Sequence, residues 1–258
     1  MASGNESETA LTNMTLVERR REMFPTTRWT LVAAAGARGD AEGRRALAQL
    51  CEAYWYPVYG YMRGRGHSPD NAQDLTQGFF LQVLSGTFFE RADSRKGAFR
   101  AFLVHAMKYF LADEFDRETA KKRGGGVAEL PFTVIDGEAA YAAEPSHEET
   151  PERIFQRRWA ETLLHQAMGR VREDFARSGR LDHFQELQPF LANQEMPPYA
   201  VLADKLRISE SALKAAIHRI RKRYREALRA EVEATVGDAN EVDGELRFLI
   251  GALSGGGE

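Results

Sequence analysis

The side chains whose types and spacing could do chemistry are concentrated between Pro197 and Arg229, in PPYAVLADKLRISESALKAAIHRIRKRYREALR. Lys214, His218, Arg221 and Arg225 recur at the three and four spacing of one helix face, one residue round from the apolar stripe Leu213, Ile217, Ile220, Tyr224 and Leu228. One face of such a helix packs and its neighbour is basic. The chemistry this allows is recognition of a polyanion rather than bond making: the N-terminal residues of a helix reach base edges in a DNA major groove while its basic C-terminal part lies along phosphates. Glu210, Ser211, Lys214, Ala215 and His218 are the candidate readers, with Arg219, Arg221 and Lys222 beside them. The plainer reading of the same charges is a solvated surface helix. No HExxH, no paired cysteines and no nucleophile motif occur anywhere, and the six histidines are scattered. No active site, cofactor or metal is therefore expected, and the chain is not read as an enzyme.

The elements that must hold this face are written just upstream. Pro198 suits a first helical position, and Tyr199, Leu202, Ala203 and Leu206 predict a short helix with one buried face. A turn follows at Arg207 and Ile208, and Ser209 stands where an N-cap is needed, so the second helix should start near Glu210. A short helix, a tight turn and a capped basic helix favour DNA binding over the solvated surface. Arg207 occupies the turn position where glycine is usual, and a side chain in left-handed geometry costs about 1 kcal/mol or more.

At 258 residues the chain is long enough for two small domains, and its formal charge of −3 excludes coating of nucleic acid by bulk electrostatics. Cys51 stands alone, so no internal disulfide can form; its apolar helical setting predicts a packed thiol and fits a reducing cytoplasm. The first twenty residues carry no apolar signal core, and no run approaches the ~20 apolar residues of a membrane span. The expectation is a cytoplasmic protein without a membrane partner.

Residues 1–23 read as a disordered tail, and FPTTRWTLVAAA from Phe24 as a short apolar helix packing onto the next domain. From Glu42 to Arg63, Leu47, Leu50, Cys51, Tyr54, Val58 and Tyr61 predict a helix kinked near Pro57; Tyr54, Trp55, Tyr56, Tyr59 and Tyr61 supply core and rim, or else line a ligand site. GHSPDNAQDLTQGFFLQVL carries a helix start at Ser68, Pro69 and Asp70, with Ala72, Leu75, Phe79 and Val83 inward; Asn71, Gln73, Asp74 and Gln77 lie outward, solvated or docking a partner. After a loop at Phe89–Gly97, the helix beginning FRAFL buries Phe99, Phe102, Leu103, Ala106 and Phe110. Arg95, Lys96, Arg100, Lys108 and Arg117 form a second basic region interleaved with aromatics, a combination suited to single-stranded nucleic acid. Residues 121–151 read as a flexible linker; Gly124–Gly126 have neither the Lys-Ser/Thr pair nor the flanking strand and helix of a phosphate loop. Phe155, Trp159, Leu163, Ala167 and Val171 open a second helical group, and Leu246, Leu249, Ile250 and Leu253 suggest a short packing helix over Val242–Leu253. The fold class is all-α: two small helical domains joined by a flexible linker, the second ending in a helix-turn-helix.

The order of these pieces resembles the extracytoplasmic-function branch of the sigma-70 family, the promoter-specificity subunits of bacterial RNA polymerase. NAQDLTQGFF at Asn71–Phe80 is similar to the family's DAEDLxQxxF-like helix, FRAFL at Phe99–Leu103 to its FRxWL-like helix, and ISESALKAAIHRIRKRY to its ISEGTVKSRLHRARRRL helix-turn-helix. The resemblance implies a domain over 24–120 that docks on the polymerase clamp through Asn71, Asp74, Gln77 and Leu81. It implies a −10 element surface of Arg95, Lys96, Arg100, Lys108, Tyr109, Asp113 and Arg117, with the loop taking a flipped base. A domain over 152–235 would read the −35 duplex through Glu210, Ser211, Lys214, Ala215, His218, Arg219, Arg221 and Lys222, and 236–258 would be an extension. The implied partners are bacterial core RNA polymerase and promoter DNA, with an anti-sigma factor or a Ser/Thr kinase as a candidate controller.

Departures from the pattern carry expectations of their own. Asn71, Gln73 and Gly78 stand where the family is acidic, which predicts weaker clamp docking that phosphorylation of Thr76 or Ser68 would restore. Ala215 and Ala216 replace a serine and an arginine, which shifts weight onto Lys214, His218 and Arg219. The rival reading is a helix-turn-helix regulator binding duplex DNA as a dimer, whose half-sites would be palindromic.

Overall fold

Helically spaced apolar side chains, broken by caps and glycines, set the architecture in the computed structural model, which describes residues 41–84, 98–120, 137–142, 149–191 and 198–254. The chain is all-α: α1 is Ala41–Gly64, α2 Pro69–Leu84, α3 Phe99–Ala120, α4 Gly137–Ala142, α5 Pro151–Arg177 and α6 Leu181–Leu187, which runs into a 3₁₀ turn at Gln188–Leu191. Then come α7 at Tyr199–Lys205, α8 at Glu210–Glu233, a 3₁₀ turn at Ala239–Glu241 and α9 at Val242–Leu253. Among the described residues there is no strand, and no helix is long and apolar enough to cross a membrane. The tail over 1–23, the Phe24 segment and the loop at Phe89–Gly97 lie outside the described residues.

Caps explain where the helices start. Ser68 Oγ accepts the Asn71 amide at 3.3 Å and Thr150 Oγ1 accepts that of Arg153 at 3.3 Å, each followed by a proline whose missing N–H would have been an orphan in the first turn. Pro57 lies buried inside α1, which continues through it as one helix.

The aromatics of α1 are core and rim, as their density suggests. Tyr54, Trp55, Tyr59 and Tyr61 are buried and Tyr56 is half-buried. Tyr54 stacks on Trp159 of α5 with ring centroids 4.3 Å apart, and Trp55 on Phe80 of α2 at 5.7 Å. Gly60 and Gly64, one turn apart, let α5 approach α1: a Cβ on Gly64 would sit 2.9 Å from Ile154 Cδ1. Phe99, Leu103, Ala106 and Phe110 of α3 join this core. A second core gathers Val171, Phe175, Phe184, Leu187, Phe190, Leu202, Ala203, Leu213, Ile217 and Ile220.

The cores divide the chain differently from the expected domains. Ile154, Phe155, Trp159, Ala160 and Leu163 of α5 belong to the first core although they follow residue 152, and Val171 and Phe175 of the same helix belong to the second. Val232 at the end of α8, Val236, Val242 and Leu249 return to the first core, so 236–254 packs as an integral part of it. The flexible linker over 121–151 is corrected for its described part. Residues 137–142 form α4, which is fastened to α1 because Arg63 pairs with Glu138 at 2.9 Å and lies 4.7 Å from the Tyr141 ring centre, while the Tyr59 hydroxyl donates to Glu138 at 2.6 Å. The Arg63 hydrogen bond holds the Glu138 carboxyl below its ordinary value, with Tyr59 adding to it against the opposing effect of burial.

Candidate nucleic-acid interface

The basic helix is presented by a turn that its sequence forces into an uncommon conformation. Arg207 has φ of 54°, the left-handed geometry expected of a glycine, and is the one non-glycine residue with positive φ among those described. The turn is closed by the Ile208 amide on Ala203 O at 3.0 Å and the Arg207 amide on Asp204 O at 3.0 Å. Ser209 Oγ then accepts the Ala212 amide at 3.2 Å, and α8 begins at Glu210. Leu213, Ile217 and Ile220 seat α8 on the second core, together with Leu202 and Ala203 of α7. Tyr199 departs from the expected buried face: it is exposed, stacked 5.9 Å from Phe190 and 6.0 Å from Lys214 Nζ. Side chains lean toward a helix's N-terminus, so one on the first residue overhangs the end.

Glu210, Ser211, Lys214, Ala215, His218, Arg219, Arg221 and Lys222 are all exposed along the outside of α8. Among the described residues no carboxylate pairs with Lys214, His218 or Arg219. Arg221 is partly committed, its Nε donating to Phe190 O at 3.2 Å, and Lys222 lies a loose 3.8 Å from Glu226. Tyr224, half-buried, donates to Leu164 O at 3.4 Å, and burial pushes its ionisation up. Ala216 is half-buried and lines a small cleft of about 210 Å³, which the exposed Arg219 and Arg223 line as well. That cleft also shows a pair the sequence does not disclose: Arg180 and Arg223 both lie over the Phe175 ring, at 5.7 and 5.6 Å.

The second basic region is arranged otherwise. Arg95, Lys96 and the side chain of Arg117 lie outside the described residues. Arg100, expected to face a DNA strand, is engaged within the chain: its Nε pairs with Glu245 of α9 at 2.6 Å and its guanidinium carbon sits 3.3 Å from the centre of the Phe248 ring. Lys108 pairs with Glu152 at 3.0 Å, half-exposed. Tyr109 is 74 % exposed and Asp113 is exposed. Phe115, which the helical stripe gave no reason to single out, is 67 % exposed and lines a cavity of about 500 Å³ with Arg65, His67, Asn71, Lys108 and Leu111. An aromatic five positions beyond the last buried one, Phe110, was the available signal.

On α2 the expected partner-facing residues share the side opposite Ala72, Leu75, Phe79 and Val83, which are buried. Asn71 and Asp74 are exposed, Gln77 and Leu81 half-buried. Two expectations about this helix are corrected. Thr76 is fully buried, its hydroxyl bonded to Ala72 O at 2.6 Å, so no kinase can reach it in the folded chain; Ser68 is exposed. Gly78 faces Phe110, whose Cζ would lie 3.3 Å from an added Cβ, so an acid there would press inward rather than enrich the outer face. Cys51 is fully buried and its thiol is pushed far up by desolvation, as a packed thiol should be.

The chain matches no family model, and neither the curated proteins nor the solved structures contain a match to it.

Proposed function

We propose that this protein is a transcription initiation factor that binds core RNA polymerase, directs it to a class of promoters and helps melt them, without an active site of its own. The observation that carries this reading is the α7–α8 pair: a strained, hydrogen-bonded turn at Arg207, a Ser209 cap, and a helix whose buried stripe turns Glu210, Ser211, Lys214 and His218 outward together. Such a helix suits a duplex major groove, where a good bidentate contact is worth about 1 to 3 kcal/mol of discrimination. Lys108, Tyr109 and Phe115 on α3 supply a cation and two exposed rings, which suits an unpaired strand beside it. The exposed side of α2, with Asn71, Asp74, Gln77 and Leu81, is then left for the polymerase.

The experiment is gel filtration of the protein with bacterial core RNA polymerase at micromolar concentration. Co-elution is the expected result. Elution apart, as a dimer that binds duplex DNA, replaces this reading with a dimeric helix-turn-helix regulator; elution apart as a monomer removes it.

A further inference from the structure

The segment after α8 is built into the surface that carries Arg100. The Phe99 amide, at the start of α3, donates to Thr235 O at 2.8 Å, and Val236, Val242 and Leu249 share the first core with Phe99 and Leu103. From that footing α9 sets two different groups against one guanidinium. The Glu245 carboxylate, 5 % exposed, takes its Nε at 2.6 Å, and the Phe248 ring lies on its flat face at 3.3 Å. Two residues earlier Asp243 takes Arg229 of α8 at 2.7 Å, so the same short helix holds one arginine from α3 and one from α8.

An anionic oxygen on the N–H edge and an aromatic ring on the face are the two things a nucleic acid offers an arginine, as phosphate and as base. We propose that α9 is an internal nucleic-acid mimic: Glu245 stands where a phosphate would bind, Phe248 where a base would stack, and Arg100 is withheld from single-stranded DNA until α9 moves aside. This deepens the function proposed above and rests on it for an unpaired strand lying along α3, the helix that carries Arg100. The device is competitive, because a strand and α9 cannot occupy the guanidinium together. It also explains why a carboxylate is buried at Glu245 at all: a buried charge is tolerated when its partner is held in place.

The test is fluorescence anisotropy with a labelled oligothymidine single strand and the full chain. Glu245→Gln combined with Phe248→Ala should bind about tenfold more tightly than the natural sequence, the worth of one charged hydrogen bond. One added phosphate contact should steepen the log–log salt dependence by about 0.7. Adding Arg100→Ala should abolish both gains. Should the double variant lose helix content by circular dichroism, Glu245→Gln alone keeps the shape of the contact and should gain about threefold. Without any substitution, saturating single strand should speed amide exchange across Val242–Leu253. Unchanged affinity in a folded variant, or unchanged or slower exchange, overturns the proposal. Running the same preparations with core polymerase separates the two ideas: tighter strand binding without co-elution keeps the mimic and removes the initiation factor, and co-elution without tighter binding does the reverse.

Discussion

The two basic regions look alike as strings of letters and differ as surfaces. On α8, Lys214, His218 and Arg219 point to solvent, and no carboxylate among the described residues pairs with them. On α3, Arg100 is clasped by Glu245 and Phe248, and Lys108 leans on Glu152. A cation that keeps its hydration can exchange water and counterions for phosphate at once, whereas one already paired must first give up a contact of similar worth. Lys214, His218 and Arg219 on α8 therefore have no carboxylate among the described residues to give up, whereas Arg100 and Lys108 on α3 are already engaged within the chain.

The comparison can be broken most forcefully through Trp159, because α5 carries both cores. Trp159→Ala should destabilise the chain by about 3 to 5 kcal/mol, with a single urea transition by circular dichroism; two separate transitions would show that the cores do not share their support. Next in size, Lys214→Ala with His218→Ala should weaken discrimination of a preferred duplex by about 1 to 3 kcal/mol per lost base contact. Its urea midpoint should stay unchanged, and equal losses for duplex and single strand would erase the distinction drawn here. Smaller still, Ser209→Ala should cost about 1 kcal/mol of stability through the lost cap, and Arg207→Gly should recover about 1 kcal/mol by relieving left-handed strain; an Arg207→Gly chain no more stable than its parent would show that the turn is relaxed. The smallest effect is set by pH. Glu138 has a depressed carboxyl in the folded chain, so its contribution is complete above the ordinary value of 4.5 and fades as pH falls through the lower folded value. Amide exchange over Gly137–Ala142 should accelerate in that acidic window, while α8 exchange stays flat.

Much of the framework was legible because it is local. Ser68 and Ser209 announce helix starts within three residues, and the stripes Leu75–Phe79 and Leu213–Ile217–Ile220 identify their own buried faces. The positive φ at Arg207 falls at the turn position where glycine is usual. Thr76 runs against the expected phosphorylation site: it stands four residues after the inward Ala72, whose carbonyl accepts its hydroxyl. What could not be read is long-range. Glu245 meets Arg100 across 145 residues, and periodicity tells which side of a helix is apolar without saying what covers it. On α9, Leu249 is covered and Ile250 and Leu253 are exposed, although all three share the spacing that suggested a packing helix. The same limit hid α4 inside a stretch whose composition reads as linker, because its anchors, Tyr59 and Arg63, lie on α1.

The place of Val242 and Leu249 in the first core has a consequence during synthesis. α1, α2 and α3 emerge from the ribosome long before the residues that complete their packing, so Cys51, Tyr54 and Phe99 must wait, partly solvated, for the rest of the polypeptide. A chain halted after α8 would carry a finished basic helix on an unfinished support.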